Sequence, residues 1–266
     1  MVLLLGAVDT GKSTLAMYLV GELLRAGLKT AYLDADVGQA ALGLPGTVSV
    51  RVFSPGVPIK GAPRPEAMAF VGGINPARHI PAVAEAAKRM ARFALERGAE
   101  RIIVDTSGLV SGAPGLRLKA AKLRALAPSD VVAVARAGEL DEVLSTIKGP
   151  RVHRLAVPAR ARQRSRAERM GHRRERFAAY LKGARGLRLA PGEARWTLAG
   201  PREAPLSEAP APGTVVGLLA GGRTLALGVL EEFSPGGAVI RTPLRAKGRI
   251  GRVAVGDFAV DLSPRP

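Results

Sequence analysis

The strongest constraint on this chain is eight residues long. Gly6-Ala7-Val8-Asp9-Thr10-Gly11-Lys12-Ser13 fits G-x-x-x-x-G-K-[ST] at every required position. It follows the apolar run Val2–Leu5 and leads into an amphipathic segment, Lys12–Ala26. That strand–loop–helix context separates a phosphate-binding loop from a Gly-rich turn with a fortuitous lysine. The glycines let the backbone curl so that its N–H groups face phosphate oxygens, and the helix adds its positive N-terminal end. Gly6, Asp9, Thr10, Gly11, Lys12, Ser13 and Thr14 are therefore candidate nucleotide-binding residues. Lys12 would reach the β/γ-phosphates and the Ser13 hydroxyl would ligate a metal. ATP or another nucleoside triphosphate and Mg²⁺ are the expected cofactors.

The first 155 residues alternate short apolar runs with helical patterns, which predicts a parallel sheet covered on both faces. Predicted strands are Val2–Leu5, Thr30–Leu33, Thr47–Phe53, Ala67–Val71, Arg101–Val104, Asp130–Ala135 and Val152–Val157. Predicted helices are Lys12–Ala26, Ile80–Arg97, Leu116–Leu126 and Glu139–Lys148. Five residues, Pro55, Gly56, Pro58, Pro63 and Pro65, crowd the stretch between the third and fourth strands, so that pair reads as a hairpin-like excursion. Gln163–Lys182 reads as an Arg-rich helix with Met170, Phe177 and Tyr180 at roughly helical spacing. Ala199–Gly213 is rich in Pro, Gly and Ala and reads as a linker, and Thr214–Leu262 holds short β-type runs. The expected fold is α/β: a P-loop NTPase domain over 1–185 with a helical lid at about 160–183, then a small β-module over 186–266.

Ligands of such sheets bind at the carboxyl ends of the strands. Two acidic clusters fall there. Asp34 and Asp36 follow the second predicted strand, and Asp105 ends the strand RIIV and opens Asp105-Thr106-Ser107-Gly108. Phosphoryl transfer needs positioning, metal ions and a group that takes the nucleophile's proton. Asp36 is the candidate base, and Asp34 and Asp105 are candidates for Mg²⁺ or its waters. A lone carboxylate after a strand can also be a turn former; three together, facing a phosphate loop, are better explained by chemistry.

The charge narrows the partner. The 266 residues carry a net +18, which favours polyanions. Residues 151–188 hold 13 Lys+Arg against 2 Asp+Glu. No apolar run approaches the roughly 18–20 residues needed to span a bilayer. VLLL is too short for a targeting core, so a cytoplasmic protein with no membrane partner is expected. There are no cysteines, which excludes disulfides, thiolate zinc sites and a thiol nucleophile. His79, His153 and His172 are widely spaced and read as surface or helix-end residues, and Trp196 reads as packing. One Asn and two Gln beside many Arg and Pro suit a hot-living source and a GC-rich genome equally.

Together these segments resemble the polynucleotide 5′-hydroxyl kinases related to the RNA-cleavage-factor subunit and the pre-ribosomal-RNA-processing kinase. The carriers are an Asp within the phosphate loop, Asp34-Ala35-Asp36-Val37-Gly38-Gln39, Pro45–Thr47, Phe70–Pro76, DTSGLVSGAPGLRLK at Asp105–Lys119, and RSRAERMGHRRERFAAYLKG at Arg164–Gly183. The resemblance implies an ATP-dependent kinase acting on the 5′ ends of RNA and/or DNA. Asp36 would deprotonate the 5′-hydroxyl. Thr106, Ser107 and Gly108 would form a clasp that pins Lys12 or the substrate end, with Gln39 beside it on the substrate. Lid arginines Arg169, Arg173 and Arg176 would close over the phosphates. Where the family carries a clasp aromatic, this chain has Leu109. The family's eukaryotic members also carry an N-terminal β-domain, so a minimal kinase with a C-terminal module is expected.

Other readings remain. A guanine-specific hydrolase would read its base with N-K-x-D or T-K-x-D, and neither occurs. A small-molecule kinase would leave the basic lid segment without a purpose. A non-catalytic ATP-binding scaffold in RNA processing would be marked by loss of Lys12 or Asp36, and both are present. Nothing in the sequence points to a particular protein partner.

Overall fold

The computed structural model describes residues 1–59, 61, 63–200, 204–245 and 250–261. In chain order the first half runs β1 (Val2–Leu5), α1 (Lys12–Arg25), β2 (Thr30–Ala35), β3 (Thr47–Phe53), β4 (Ala67–Phe70), α2 (Ile80–Glu96), β5 (Arg101–Thr106), α3 (Gly112–Leu126), β6 (Asp130–Ala135), α4 (Asp141–Ser145) and β7 (Arg151–Ala156). The lid helix α5 (Arg166–Tyr180) follows. Then come β8 (Arg185–Leu189), β9 (Arg195–Leu198), β10 (Ala204–Pro205), β11 (Thr214–Ala220), β12 (Arg223–Ser234), β13 (Gly237–Thr242) and β14 (Arg252–Ala259).

The first sheet has the order β4-β3-β2-β5-β1-β6-β7. Its pairs from β2 through β7 are parallel, while β3 and β4 join antiparallel at one edge. Side chains of β1 alternate faces, as the period of two requires. Leu3 and Leu5 pack with α2 and α3, and Leu4 packs with Ala16 and Val20 of α1. α2 turns Val83, Ala87, Met90 and Ala94 inward at helical spacing. Every residue of β7 is exposed at the far edge, where Arg151 and His153 reach Asp130 and Arg154 reaches Asp141.

The second sheet has the order β10-β9-β14-β11-β12-β13-β8 and is antiparallel except between β9 and β14. One face packs Val216, Leu218, Leu230, Ile240 and Val253 with Trp196, whose ring meets Phe233 edge-on at 4.8 Å. The other face, with Val215, Leu227 and Val229, closes on Phe70 of the first sheet and on Phe177 and Leu181 of the lid.

The predicted elements recur within about three residues of their bounds, with four larger differences. α3 begins at Gly112 rather than Leu116, with Pro114 in its first turn where a missing N–H costs nothing. The helix expected over Glu139–Lys148 shrinks to α4. β8 and β9 were not predicted, and β10 forms inside the expected linker by pairing with β9. Positions 201–203 of that linker and Leu262 lie outside the described residues. In the lid helix Phe177 is buried and Tyr180 partly so, but Met170 is half exposed. No described helix is long and apolar enough to cross a membrane.

Candidate phosphate-transfer site

The phosphate loop turns from β1 into α1 through Gly11, whose φ of 86° lies in the left-handed region that glycine adopts without strain. Asp9 also has positive φ, at 58°. Gly6 has no room for a Cβ beside the Val134 carbonyl. The Lys12 ammonium lies over the loop, donating to the Ala7 carbonyl at 2.5 Å and to Thr10 Oγ1 at 3.3 Å. Burial lowers its pKa, opposed by Asp105, Asp36 and Asp9. A cavity of about 400 Å³ opens here. Thr10, Ser13, Thr14, Asp36, Gln39 and Arg164 are among its walls.

Asp105 stands at the end of β5 beside Asp34 of β2, its register partner. Ser13 Oγ donates to Asp105 Oδ2 at 2.5 Å, and Tyr32 donates to the same oxygen at 3.1 Å. Asp105 Oδ1 is buried with no partner among the described residues. Burial pushes its carboxyl up, partly offset by the Ser13 hydrogen bond. A hydroxyl and an under-satisfied carboxylate at the foot of a phosphate loop form an oxygen-only donor set, which suits a hard cation such as Mg²⁺.

Asp34 was expected to serve the metal, and the geometry gives it other work. Its Oδ1 accepts from the Asp36 amide at 3.1 Å, and its Oδ2 accepts from the Ala41 and Leu42 amides at 2.7 and 2.8 Å. Both oxygens therefore pin the loop after β2. Burial and the nearby Asp105 carboxylate push this carboxyl up to about 7. Asp36 lies on that loop and lines the cavity. Its Oδ1 accepts from the Gly38 and Gln39 amides at 2.9 and 3.0 Å. Its Oδ2 has no hydrogen-bond partner among the described residues.

The clasp segment departs from expectation in part. Thr106 lines the cavity, but its Oγ1 is committed inward, donating to the Leu4 carbonyl at 2.7 Å and accepting from Lys119 at 2.9 Å, and it makes no hydrogen bond to Lys12 among the described residues. Ser107 Oγ is buried without a partner among the described residues. Gly108 packs so closely on the phosphate loop that a Cβ would stand 2.5 Å from the Val8 amide nitrogen.

The lid begins with a capping box: the Glu168 amide donates to Ser165 Oγ at 3.1 Å, and the Ser165 amide donates to Glu168 Oε2 at 2.6 Å. Its N-terminal end is fastened to Asp9. The Arg164 backbone N–H and Nε donate to that carboxylate at 2.9 and 3.1 Å, and Arg169 stands 3.5 Å from it. Burial pushes Asp9 up, but these donors outweigh it and hold its carboxyl below the usual range. The Arg169 carbonyl accepts from Gln39 Nε2 at 3.4 Å, while Gln39 Oε1 has no partner among the described residues. Arg176 was expected over the phosphates. Instead its guanidinium donates to the Leu42 and Gly43 carbonyls, 2.8 Å to the first, and ties the lid to the loop after Asp36. Arg173 has no partner among the described residues; partial burial and the neighbouring charges of Arg169 and Arg166 lower its pKa.

The sequence reading missed Lys119 and Lys122, both buried beneath this site, Tyr32 beside Asp105, and Arg160 and Arg164 on the cavity wall. A helical wheel would have found the lysines, since they fall on the stripe of Gly115, Leu118 and Leu126 that α3 turns inward. The remaining polar residues of interest behave as packing groups: His79 meets Asp257 at 3.0 Å and His172 faces the Ala40 carbonyl.

A polyribonucleotide 5′-hydroxyl-kinase of Methanocaldococcus jannaschii is 35% identical over 185 residues, covering 69% of this chain and 51% of the relative. One from Pyrococcus furiosus is 32% identical over 184 residues, with the same coverage. The chain thus spans about half the length of these archaeal relatives. The polynucleotide 5′-hydroxyl-kinase NOL9 of Bos taurus is 31% identical over 134 residues, 49% of this chain and 19% of its own. Among solved structures, Clp1p in the wild-type Clp1p–Pcf11p complex superposes with a TM-score of 0.76 over 97% of this chain and 74% of that one, at 12% identity. With the model of the mRNA cleavage and polyadenylation factor CLP1 P-loop matching residues 6–183, the chain belongs to that family.

Proposed function

We propose that this protein is an ATP-dependent kinase that transfers the γ-phosphate to the 5′-hydroxyl end of a polynucleotide, RNA foremost. The observation that carries the reading is the placement of Asp36 on the wall of the same cavity as Lys12 and Ser13. An acceptor hydroxyl could there stand between a carboxylate and a phosphate loop. The names of the archaeal relatives, polyribonucleotide 5′-hydroxyl-kinases, support the same activity.

In this reading Gly6, Asp9, Thr10, Gly11 and Thr14 shape the loop that holds the triphosphate, and Lys12 carries its charge to the β/γ-phosphates. Asp36 Oδ2 takes the proton of the 5′-hydroxyl while Oδ1 stays fixed by two amides. The freed oxygen bonds to the γ-phosphorus, the bond to the β-phosphate oxygen breaks, and ADP leaves. Ser13 and Asp105 would hold Mg²⁺, which supplies charge neutralisation of the phosphate oxygens. Arg173, lacking a carboxylate partner and pressed by like charges, is suited to an anion, and Arg169 lies beside it. Gln39 on the cavity wall would meet the substrate end, with Ser107 behind it in the clasp.

The division of labour follows: a kinase domain over 1–185 with its lid at 160–183, and a C-terminal module over 186–266 that braces the lid. We propose ATP as donor, RNA ends as acceptor and a cytoplasmic place of work. The test is incubation with γ-labelled ATP and matched 5′-hydroxyl RNA and DNA oligomers. Label at the 5′ end is the expected result. ATP binding without transfer to any oligomer would point to the scaffold reading instead.

A further inference from the structure

Lysines belong on the outside of a helix, yet α3 turns Lys119 and Lys122 fully inward, at 1% and 0% exposure. A buried ammonium is costly unless it is paired and fully hydrogen-bonded. Neither lysine has an ion-pair partner among the described residues. Lys119 Nζ donates to Thr106 Oγ1 at 2.9 Å and to the Ser107 carbonyl at 2.5 Å. Lys122 Nζ, with three N–H groups, has one acceptor among the described residues, the Ala35 carbonyl at 2.8 Å. Burial accordingly pushes Lys119 well below the usual lysine range and Lys122 down to about 8. Methionine would fill either position at lower cost, so fold stability does not explain them.

Their acceptors have one thing in common. Ala35 and Thr106 are register partners at the ends of adjacent strands β2 and β5. Ala35 lies between Asp34 and Asp36, and Thr106 follows Asp105. Beyond Thr106 the chain runs through Ser107 to Gly108, which abuts the phosphate loop at Val8. One turn of α3 therefore grips the roots of both loops that face the cavity, behind three carboxylates.

We propose that Lys119 and Lys122 are positioning residues, whose Nζ groups lock the Asp36 loop and the Thr106–Gly108 loop to each other. The kinetic consequence rests on the kinase reading; the effect on the loops does not. The experiment uses Lys119→Met and Lys122→Met, with Lys122→Gln as a variant that can still donate to Ala35. Three quantities are read: melting temperature, turnover on 5′-hydroxyl RNA, and hydrogen exchange of the peptides 34–42 and 105–110.

Melting temperature should hold or rise in both methionine variants, since an unpaired buried charge has gone. Turnover should fall by about tenfold or more, because small misplacements at a reacting centre are costly. Exchange should quicken in 34–42 for Lys122→Met and in 105–110 for Lys119→Met, and Lys122→Gln should recover part of the first. A lower melting temperature with unchanged turnover, loss of folding in both Lys122 variants, or unchanged exchange in both peptides overturns the proposal. If the wild type labels no 5′ end, the kinase reading fails, and the exchange data still decide the role of the lysines.

Discussion

Asp9 of the phosphate loop holds Arg164 at the N-terminal end of the lid by two hydrogen bonds, from the backbone N–H at 2.9 Å and from Nε at 3.1 Å. The carboxyl is depressed in the folded protein. Its contribution is therefore fully present above the ordinary aspartate pKa of about 4 and lost as pH falls through the lower folded value. Lid docking should be flat in pH from neutrality to about 4 and loosen below that. In Asp9→Ala the Arg164 amide should exchange about tenfold faster at neutral pH, the loss of one charge-assisted hydrogen bond. An amide as protected in Asp9→Ala as in the wild type would show that the lid is held elsewhere.

Lys12→Ala should leave the melting temperature within a few degrees of wild type. Its two acceptors are groups of the phosphate loop itself, so no distant contact is lost. Phosphate transfer should fall by roughly 10²–10³-fold, the scale for removing one charge-stabilising donor. Thermal unfolding and 5′-end labelling, measured on the same preparation, test this; retained activity counts against the loop as the triphosphate site.

Asp36→Asn should bind ATP normally and label 5′ ends about 10²–10⁴-fold more slowly, the usual worth of a general base. The amide oxygen can still accept from the Gly38 and Gln39 amides, so the loop should persist. A single-turnover rate within about threefold of wild type would remove Asp36 from the chemistry.

Arg173 and Arg176 lie on the same lid helix and should fail differently. Arg173→Lys keeps the charge but loses the planar fork that fits phosphate oxygens. Oligonucleotide affinity should stay near normal while turnover at saturation drops. Arg176→Ala instead strips the Leu42 and Gly43 carbonyls of their donor. It should destabilise the protein by about 1–3 kcal/mol. Measuring Kd, kcat and denaturation midpoint for both separates the roles, and equal kcat losses at equal stability would merge them.

Contiguous signals were legible in the sequence and tertiary ones were not. The phosphate loop is a local motif whose spacing carries its chemistry, and β1 and β6 match their predicted bounds because buried parallel strands are short apolar runs. Asp36 and Asp105 could be placed from the rule that ligands sit at strand ends. Asp34 could not be told apart from them, because its commitment to the Ala41 and Leu42 amides is a property of the folded loop. Arg176 looked like its neighbours because a lid alignment does not reveal which guanidinium meets backbone carbonyls. β8 escaped notice as RGLRL, where arginines continue the basic lid segment and only Leu187 and Leu189 alternate inward. Lys119 and Lys122 were hidden by the habit of reading a helical lysine as solvated.

The second sheet gives α5 a clamped end. Phe177 is 1% exposed, Leu181 packs beside it, and the Tyr180 hydroxyl accepts from the Leu227 amide at 3.0 Å. Phe258 of β14 meets the Phe177 ring edge-on at 6.2 Å. The opposite end carries arginines and rests on Asp9. The lid is thus a cantilever about 22 Å long, at 1.5 Å per residue. A tilt of roughly 5° at its root would sweep the arginine tip through about 2 Å, enough to make or break a phosphate contact. The stiffness of aromatic packing at Phe177 and Phe258, remote from any phosphate, therefore governs how far and how often the tip travels.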